Sequence, residues 1–418
     1  MTARNIVMVT YDSLRADHCG YMGYGRDTTP TLDAMAKSGT GFTNAIAPAS
    51  RTNPSMAGIL TGEHMVVRGQ VADSTHSRRH LARHGTIAES LSEQGYATGA
   101  FNPNAYASRH YGFDRGFDQF EDFLFSNDRY EEVFKKHLSD SSLYTVIRNF
   151  RNYLRREEAF KTWDRYIDDV EAWVHEQSEP FFLWMFSLDT HFPHLTPRRH
   201  REWSTLFQQY YYNWRCNQLI DDLDPDLSDR EIQKIIDIYD DSICFGDVLL
   251  AELQDRLSEY DPVYVVFGDH GEAFGERGVY GHFYPSLHKE SIHVPLVVSE
   301  CLGEEIDPDA PISLCSVPNL IDIFTDSNSS LDTAPWVVAT DYDGRYNRNL
   351  ITIRTRHEKI ISSKSEGSDS TNCQYQIIGT EKPKSRLEKH LTELTERRKL
   401  HERETLVIER RCRELGKF

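Results

Sequence analysis

The sequence predicts an α/β fold, a central and mostly parallel sheet with helices on both faces. Three observations predict it. Short apolar runs recur and end in polar residues, at Asn5–Asp12 (NIVMVTYD), Pro180–His191 (PFFLWMFSLDTH) and Pro262–Glu272 (PVYVVFGDHGE). Runs that are apolar at successive positions suit strands buried on both faces. Segments of helical spacing alternate with such runs, as in TPTLDAMAKSG and TIAESLSEQGYATGAFN, which is the pattern of an α/β sheet. Finally, 418 residues at 39% hydrophobic and 11% aromatic can bury the core of one large domain with an appendage.

In chain order, NIVMVTYD is the first strand. TPTLDAMAKSG follows as a short helix, apolar at Leu32, Met35 and Ala36 and stopped at Gly39. RTNPSMAGILTG (Arg51–Gly62) opens with Thr-Asn-Pro-Ser, continues apolar at helical spacing and closes on Thr-Gly. Thr52 stands where a helix presents its first free amides, and by itself reads as an N-cap. Pro54 suits that first turn because it has no amide hydrogen to leave unpaired. From about Asp122 to Glu179 the texture is helical, charged and aromatic, which predicts a helical insertion over one face of the sheet. Helices resume around Arg198–Arg256. IHVPLVVS adds a strand and ISLCSVPNLIDIF a strand–helix pair, so residues 1–326 form the main domain. Residues 327–380 predict a small C-terminal α+β subdomain of short antiparallel strands. Residues 381–418 read as one long charged helix, a solvated face or a surface through which copies could associate.

A net charge of −18 and a pI near 5.5 argue against nucleic-acid binding and against electrostatic docking on anionic membranes. No stretch approaches the ~18–20 apolar residues of a membrane span. MTARNIVMVTYDSLRAD has no leader pattern, so the expected location is cytoplasmic. The seven cysteines are scattered, odd in number and without CxxC spacing, which indicates neither a disulfide framework nor a structural zinc site.

Three predicted strands end in ligand-competent groups: Asp12, then Asp189-Thr190-His191, then Asp269-His270. In a parallel sheet the carboxyl ends of the strands converge on one edge, where ligands bind. Each taken singly has an ordinary reading as a turn or cap residue, and His191 and His194 could be surface histidines. Together with the Thr52 helix start they make a divalent-cation site of hard oxygens and one imidazole. A site of carboxylates and amides alone would favour calcium or magnesium, whereas His270 shifts the expectation to zinc or manganese. A cation on the Thr52 hydroxyl would make it a nucleophile near neutral pH. The helix amides would hold the oxygens of a tetrahedral anion.

The segment NIVMVTYDSLRADHCGYMGYGRDTTPTLDAMAKSGTGFTNAIAP resembles the opening of the sulfatase family within the alkaline phosphatase superfamily. TNPSMAGILTG occupies the place of that family's signature Cys/Ser-x-Pro-Ser-Arg-x-x-x-Leu-Thr-Gly. FGDHGEAFGERGVYGHFYPSLHKESIHVPLVV resembles its later Asp-His-Gly-Glu…Gly-His…Val-Pro-Leu block. The resemblance runs from residue 4 to about 325, and weakly to about 361. It implies an alkaline phosphatase-like fold, with Asp12, Thr52, Asp269 and His270 as metal ligands and Thr52 as nucleophile. His191 and His282 match histidines that hold the substrate anion, protonate the leaving group or bind a second metal. Asp189 and His194 are weaker matches for the same roles. Arg15 matches an arginine common after the first aspartate, a weaker candidate for binding substrate or a second metal for which a structural salt bridge is the alternative role.

The sequence departs from the family pattern at four places. Thr52 cannot become the formylglycine that family sulfatases make from cysteine or serine, because its Cβ carries a methyl group. Met56 replaces the signature arginine, Ser13 the second of two adjacent aspartates, and His270 an asparagine. These changes remove a formylglycine–calcium apparatus and leave a threonine–transition-metal one. The resemblance therefore implies an ester hydrolase or transferase with a threonine nucleophile, acting on a phosphodiester-like or sulfate ester, with a glycan- or lipid-linked ester among the open alternatives. The alternatives are a true sulfuric ester hydrolase without formylglycine and a non-catalytic binding protein on the same fold.

Overall fold

The computed structural model describes residues 3–65, 74–123, 161–219, 227–282, 284–325, 331, 335–343, 348–365 and 374–378. Strands β1 (Ile6–Tyr11), β2 (Thr40–Ile46), β3 (Ala97–Phe101), β4 (Gln119–Glu121), β5 (Phe181–Ser187) and β6 (Val263–Gly268) lie in one sheet. β7 (Ala273–Phe274) and β8 (Tyr280–Gly281) form a separate two-stranded ribbon, while β9 (His293–Val298) and β10 (Ile312–Ser313) rejoin the large sheet. Its eight strands run β10-β2-β9-β6-β1-β5-β3-β4. Pairing is parallel throughout except at β9, which runs antiparallel to both β2 and β6. β1 pairs in parallel with β5 and β6.

Both faces of this sheet are covered, as the unbroken apolar runs require. In β1, Ile6 and Met8 enter one core, with Met56, Ile59 and Leu60 of the Thr52–Thr61 helix. Val7, Val9 and Tyr11 enter the other, with Tyr239, Leu249 and Leu250 of the long helix Asp229–Arg256. That long helix buries four aspartates, each used as a fastener. Asp247, for instance, accepts from the amides of Thr31 (2.8 Å) and Leu32 (2.9 Å), and so caps the neighbouring Pro30–Ser38 helix. Asp241 accepts from the amides of Glu202, Trp203 and Ser204.

Of the segment expected as a helical insertion, residues 124–160 lie outside the described residues. Its remainder holds the helix Ile167–Glu176, whose Trp173 packs against Gly99 of β3. The expected C-terminal helix at 381–418 also lies outside them. The short strands expected after residue 326 are β11 (Val337–Asp343), β12 (Arg348–Arg354), β13 (Lys359–Ser365) and β14 (Gln374–Ile378). They form a four-stranded antiparallel meander.

β11 packs Val337, Ala339 and Tyr342 into the main core and is hydrogen-bonded to the segment that leads into the Thr52–Thr61 helix. The Thr340 amide donates to Pro48 O at 2.8 Å, and the buried Asp341 accepts from the amide and hydroxyl of Ser50 and from the Arg51 guanidinium. Arg51 is the residue on which the Thr52–Thr61 helix starts.

Candidate active site

β1, β5 and β6 are neighbours in parallel register, with Tyr11 opposite both Ser187 and Gly268. The residue after β1, Asp12, is therefore set beside the residue after β6, Asp269. Their carboxylates and His270 form a group whose donor atoms all lie within 4.8 Å of one another, and all three are buried. His270 Nε2 is 3.6 Å from Asp12 Oδ1 and 3.5 Å from Asp269 Oδ2. His270 Nδ1 lies 2.9 Å from Gly271 O; donating there puts the proton on Nδ1 and leaves the Nε2 lone pair facing the carboxylates. Thr52 Oγ1 is 3.2 Å from the same Nε2.

Thr52 is the first helical residue and not the cap. The cap position belongs to Arg51, and no side chain closes it. The first helical amide with a backbone partner is Ser55, which donates to Arg51 O at 3.1 Å. The Thr52 hydroxyl is thus free of capping duty and turned to His270. The departure at Met56 has an equally plain outcome: it is fully buried in the apolar core.

The surrounding loop is shaped to keep the two carboxylates in place. Ser13 has a left-handed backbone (φ 63), uncommon for a residue with a Cβ. In that conformation its amide donates to Asp269 Oδ1 (3.0 Å) and its hydroxyl to Asp12 Oδ1 (2.9 Å). Tyr239 donates its hydroxyl to Ser13 O and accepts from the Arg15 amide. Asn104, after β3, donates to Asp12 Oδ2 at 2.5 Å. Sequence reasoning passed over Asn104, although FNPNA is another polar strand end.

Electrostatically this group lacks positive charge. Burial, then the Asp12 charge, pushes the Asp269 carboxyl well above its ordinary range. Asp269 Oδ2 is buried with no hydrogen-bond partner. Burial, together with the nearby His282, lowers His270 to about 4, so its imidazole is neutral near pH 7. Two adjacent buried carboxylates, one oxygen unsatisfied, and a neutral imidazole with its lone pair inward fit a divalent cation. Asp12, Asp269, His270 and Thr52 would hold it.

Next to this group stand two more histidines. The His282 ring centroid lies 4.6 Å from that of His270 and 4.9 Å from that of His191. His282 Nδ1 sits 2.9 Å from Glu272 Oε2. Burial opposes charge on His282, but the Glu272 carboxylate outweighs it and raises the pKa above the usual value. Burial would likewise raise Glu272, yet His282, His191 and His194 hold it at about 2. Glu272, within the DHGE motif, was not singled out from sequence.

Three weaker candidates fall elsewhere. Asp189 curls back to accept from Ser187 Oγ (2.7 Å) and the Trp163 amide (3.4 Å), under burial that raises it to about 7. His194 is buried, 3.3 Å from Ser242 Oγ, and burial holds it at about 3. Neither belongs to the group of donor atoms around Asp12. Arg15 pairs with Asp17 and Glu276 at 2.8 Å each and donates to Glu272 O at 2.9 Å. It fixes the backbone of the residue that partners His282.

A doubly covered, mostly parallel α/β sheet carrying a candidate metal centre at its carboxyl edge defines the class. The Sulfatase family model matches residues 4–300, and the chain belongs to the sulfatase family. An ulvan-active sulfatase of Formosa agariphila is 24% identical over 319 residues, 71% of this chain and 56% of that protein. The chain thus spans about half the length of that relative. Among solved structures, the phosphonate monoester hydrolase of Agrobacterium radiobacter superposes with a TM-score of 0.58 at 14% identity, over 96% of this chain and 95% of that one. The C-terminal periplasmic domain of EcEptC from Escherichia coli, in complex with zinc, superposes at 0.51 and 17% identity, over 77% and 82%. These likenesses support the α/β fold. Among the described residues no helix is long and apolar enough to cross a membrane.

Proposed function

We propose that this chain is a metal-dependent ester hydrolase or transferase of the sulfatase family, with Thr52 as its nucleophile. The observation that carries the reading is the position of Thr52 Oγ1, 3.2 Å from His270 Nε2 and beside the Asp12–Asp269 pair. A divalent cation bound there supplies Lewis-acid stabilisation of the negative charge that builds on the nucleophile and ester oxygens. The imidazole in the donor set favours zinc or manganese over calcium.

With the cation bound, the Thr52 hydroxyl would lose its proton to solvent more readily; the Thr52 alkoxide attacks phosphorus or sulfur in line as the bond to the leaving alcohol breaks. The amides of the first helical turn receive the non-bridging oxygens. His282, whose pKa the Glu272 carboxylate raises, donates a proton to the departing alkoxide, and His191 flanks the same space. The Thr52 ester formed is then resolved by water or by an acceptor alcohol. A centre of one cation and few other positive groups suits a monoanionic diester or a sulfate better than a dianionic monoester. A phosphodiester-like ester is the first reading. The likeness to an ulvan-active sulfatase favours a sulfate ester as the second.

The test is metal analysis followed by assay of bis-p-nitrophenyl phosphate, p-nitrophenyl phosphate and p-nitrophenyl sulfate. Thr52→Ala is expected to abolish turnover of whichever ester is cleaved. Undiminished turnover in Thr52→Ala refutes the nucleophile, and retention of calcium in place of zinc or manganese refutes the metal assignment.

A further inference from the structure

Beside the reaction centre, where β12 and β13 meet the main domain, several basic side chains gather around a single buried carboxylate. Arg354 and Lys359 are directly opposed across the β12–β13 pair. Like charges in that relation repel, and here both are drawn from water: burial lowers Arg354 to about 10 and, with Arg354 and Arg277 close by, Lys359 to about 8. Arg354 Nη1 is buried with no hydrogen-bond partner. Arg277 approaches from the turn after β7 and pairs with Glu290 Oε1. Lys289 leans instead toward Asp17, at 3.9 Å. Among the described residues Lys359 makes no ion pair, so Glu290 faces Arg277, Arg354 and Lys359 and leaves about two positive charges uncompensated.

An uncompensated cationic cluster is unexpected on a chain of net charge −18, and costs stability unless an anion offsets it. Its place ties it to the site. Arg277 lies between His270 and His282 in sequence, and the backbone at Glu290–Ser291 packs directly on Gly271, whose amide donates to Ser291 O at 2.9 Å.

We propose that Arg277, Arg354 and Lys359 form a subsite for a second anionic group of the substrate, a sulfate, phosphate or carboxylate set apart from the ester that reacts. This deepens the reading of the site given above and rests on it for the word substrate. The chemical class is a polyanionic ester: guanidinium and ammonium donors take the fixed charge while the Thr52 centre takes the reacting one.

Calorimetric titration of the full chain with sucrose octasulfate, with sucrose as the uncharged control, tests it at fixed ionic strength. Binding of the sulfated sugar alone is expected. Lys359→Gln and Arg277→Gln each weaken it about tenfold, the effect of removing one well-placed charge, while Arg198→Gln, at an exposed arginine elsewhere, leaves it unchanged. Equal affinity in wild type and Lys359→Gln overturns the subsite, as does equal weakening by Arg198→Gln. In an Asp269→Asn background Lys359→Gln still weakens binding, and the absence of that effect overturns the proposal. An inactive wild type that still binds through Lys359 refutes the esterase reading and leaves the anion site standing.

Discussion

Glu272→Gln is the most informative substitution in this site. The carboxylate is buried and lies 2.9 Å from His282 Nδ1. At that separation and an effective dielectric near 20, the attraction between carboxylate and imidazolium is about 6 kcal/mol. Removing one partner of a buried pair typically costs about 3–5 kcal/mol. Glutamine keeps the shape and one acceptor but not the charge, so burial prevails and His282 becomes neutral. A general acid contributes about 10²–10⁴-fold, and more when the leaving group is poor. The expected outcome is a fall of about 10²–10³ in kcat/KM for an alkyl ester, but of less than about tenfold for its p-nitrophenyl counterpart, whose leaving group needs no proton. The assay is a leaving-group series on both proteins. Equal losses across the series would refute the acid role of His282, and no loss at all would refute the partnership with Glu272.

Other consequences follow from the same geometry. Asp269→Asn removes one of two adjacent buried carboxylates, so metal content measured by mass spectrometry falls to background while the metal-free variant melts at least as high as metal-free wild type. Gly271→Ala would place its Cβ 2.1 Å from Glu290 O; a shift of backbone is required, and chemical denaturation is expected to register a loss of about 2 kcal/mol or more. Asp189 is raised by burial to about 7, so the folded chain holds a proton that the unfolded chain has released. Its contribution is complete below about pH 4 and is lost as pH rises to about 7. Asp189→Asn should flatten this part of the stability profile by up to about 1.4 kcal/mol per pH unit, read from denaturant midpoints at a series of pH values.

How much was legible depended on where the information lay. β1, β5 and β6 could be read because a strand buried on both faces must be apolar at every position, and the first polar residue then marks its end. That argument located Asp12, Asp269 and His270 at one edge. It could not separate Asp189 from Asp12, since both are acids after apolar strands. The difference arises only when the chain after β5 turns Asp189 back on Ser187 and Trp163. The Asp229–Arg256 helix was legible as a helix, but not the task of its aspartates, because Asp247 caps amides more than 200 residues away. Asn104 and Glu272 escaped for a related reason: a short polar side chain near a turn carries no mark of the partner that folding supplies. The antiparallel course of β9 was equally invisible, since direction leaves no trace in an apolar run.

The bond between Asp341 and Ser50–Arg51 bears on where the working unit ends. The match to the family stops at residue 300, which invites trimming the chain there for expression or grafting. Such a cut would leave the start of the Thr52–Thr61 helix without the Asp341 carboxylate that holds Ser50 and Arg51. The first strand of the meander therefore belongs to the support of the Thr52–Thr61 helix and should resist exchange between relatives.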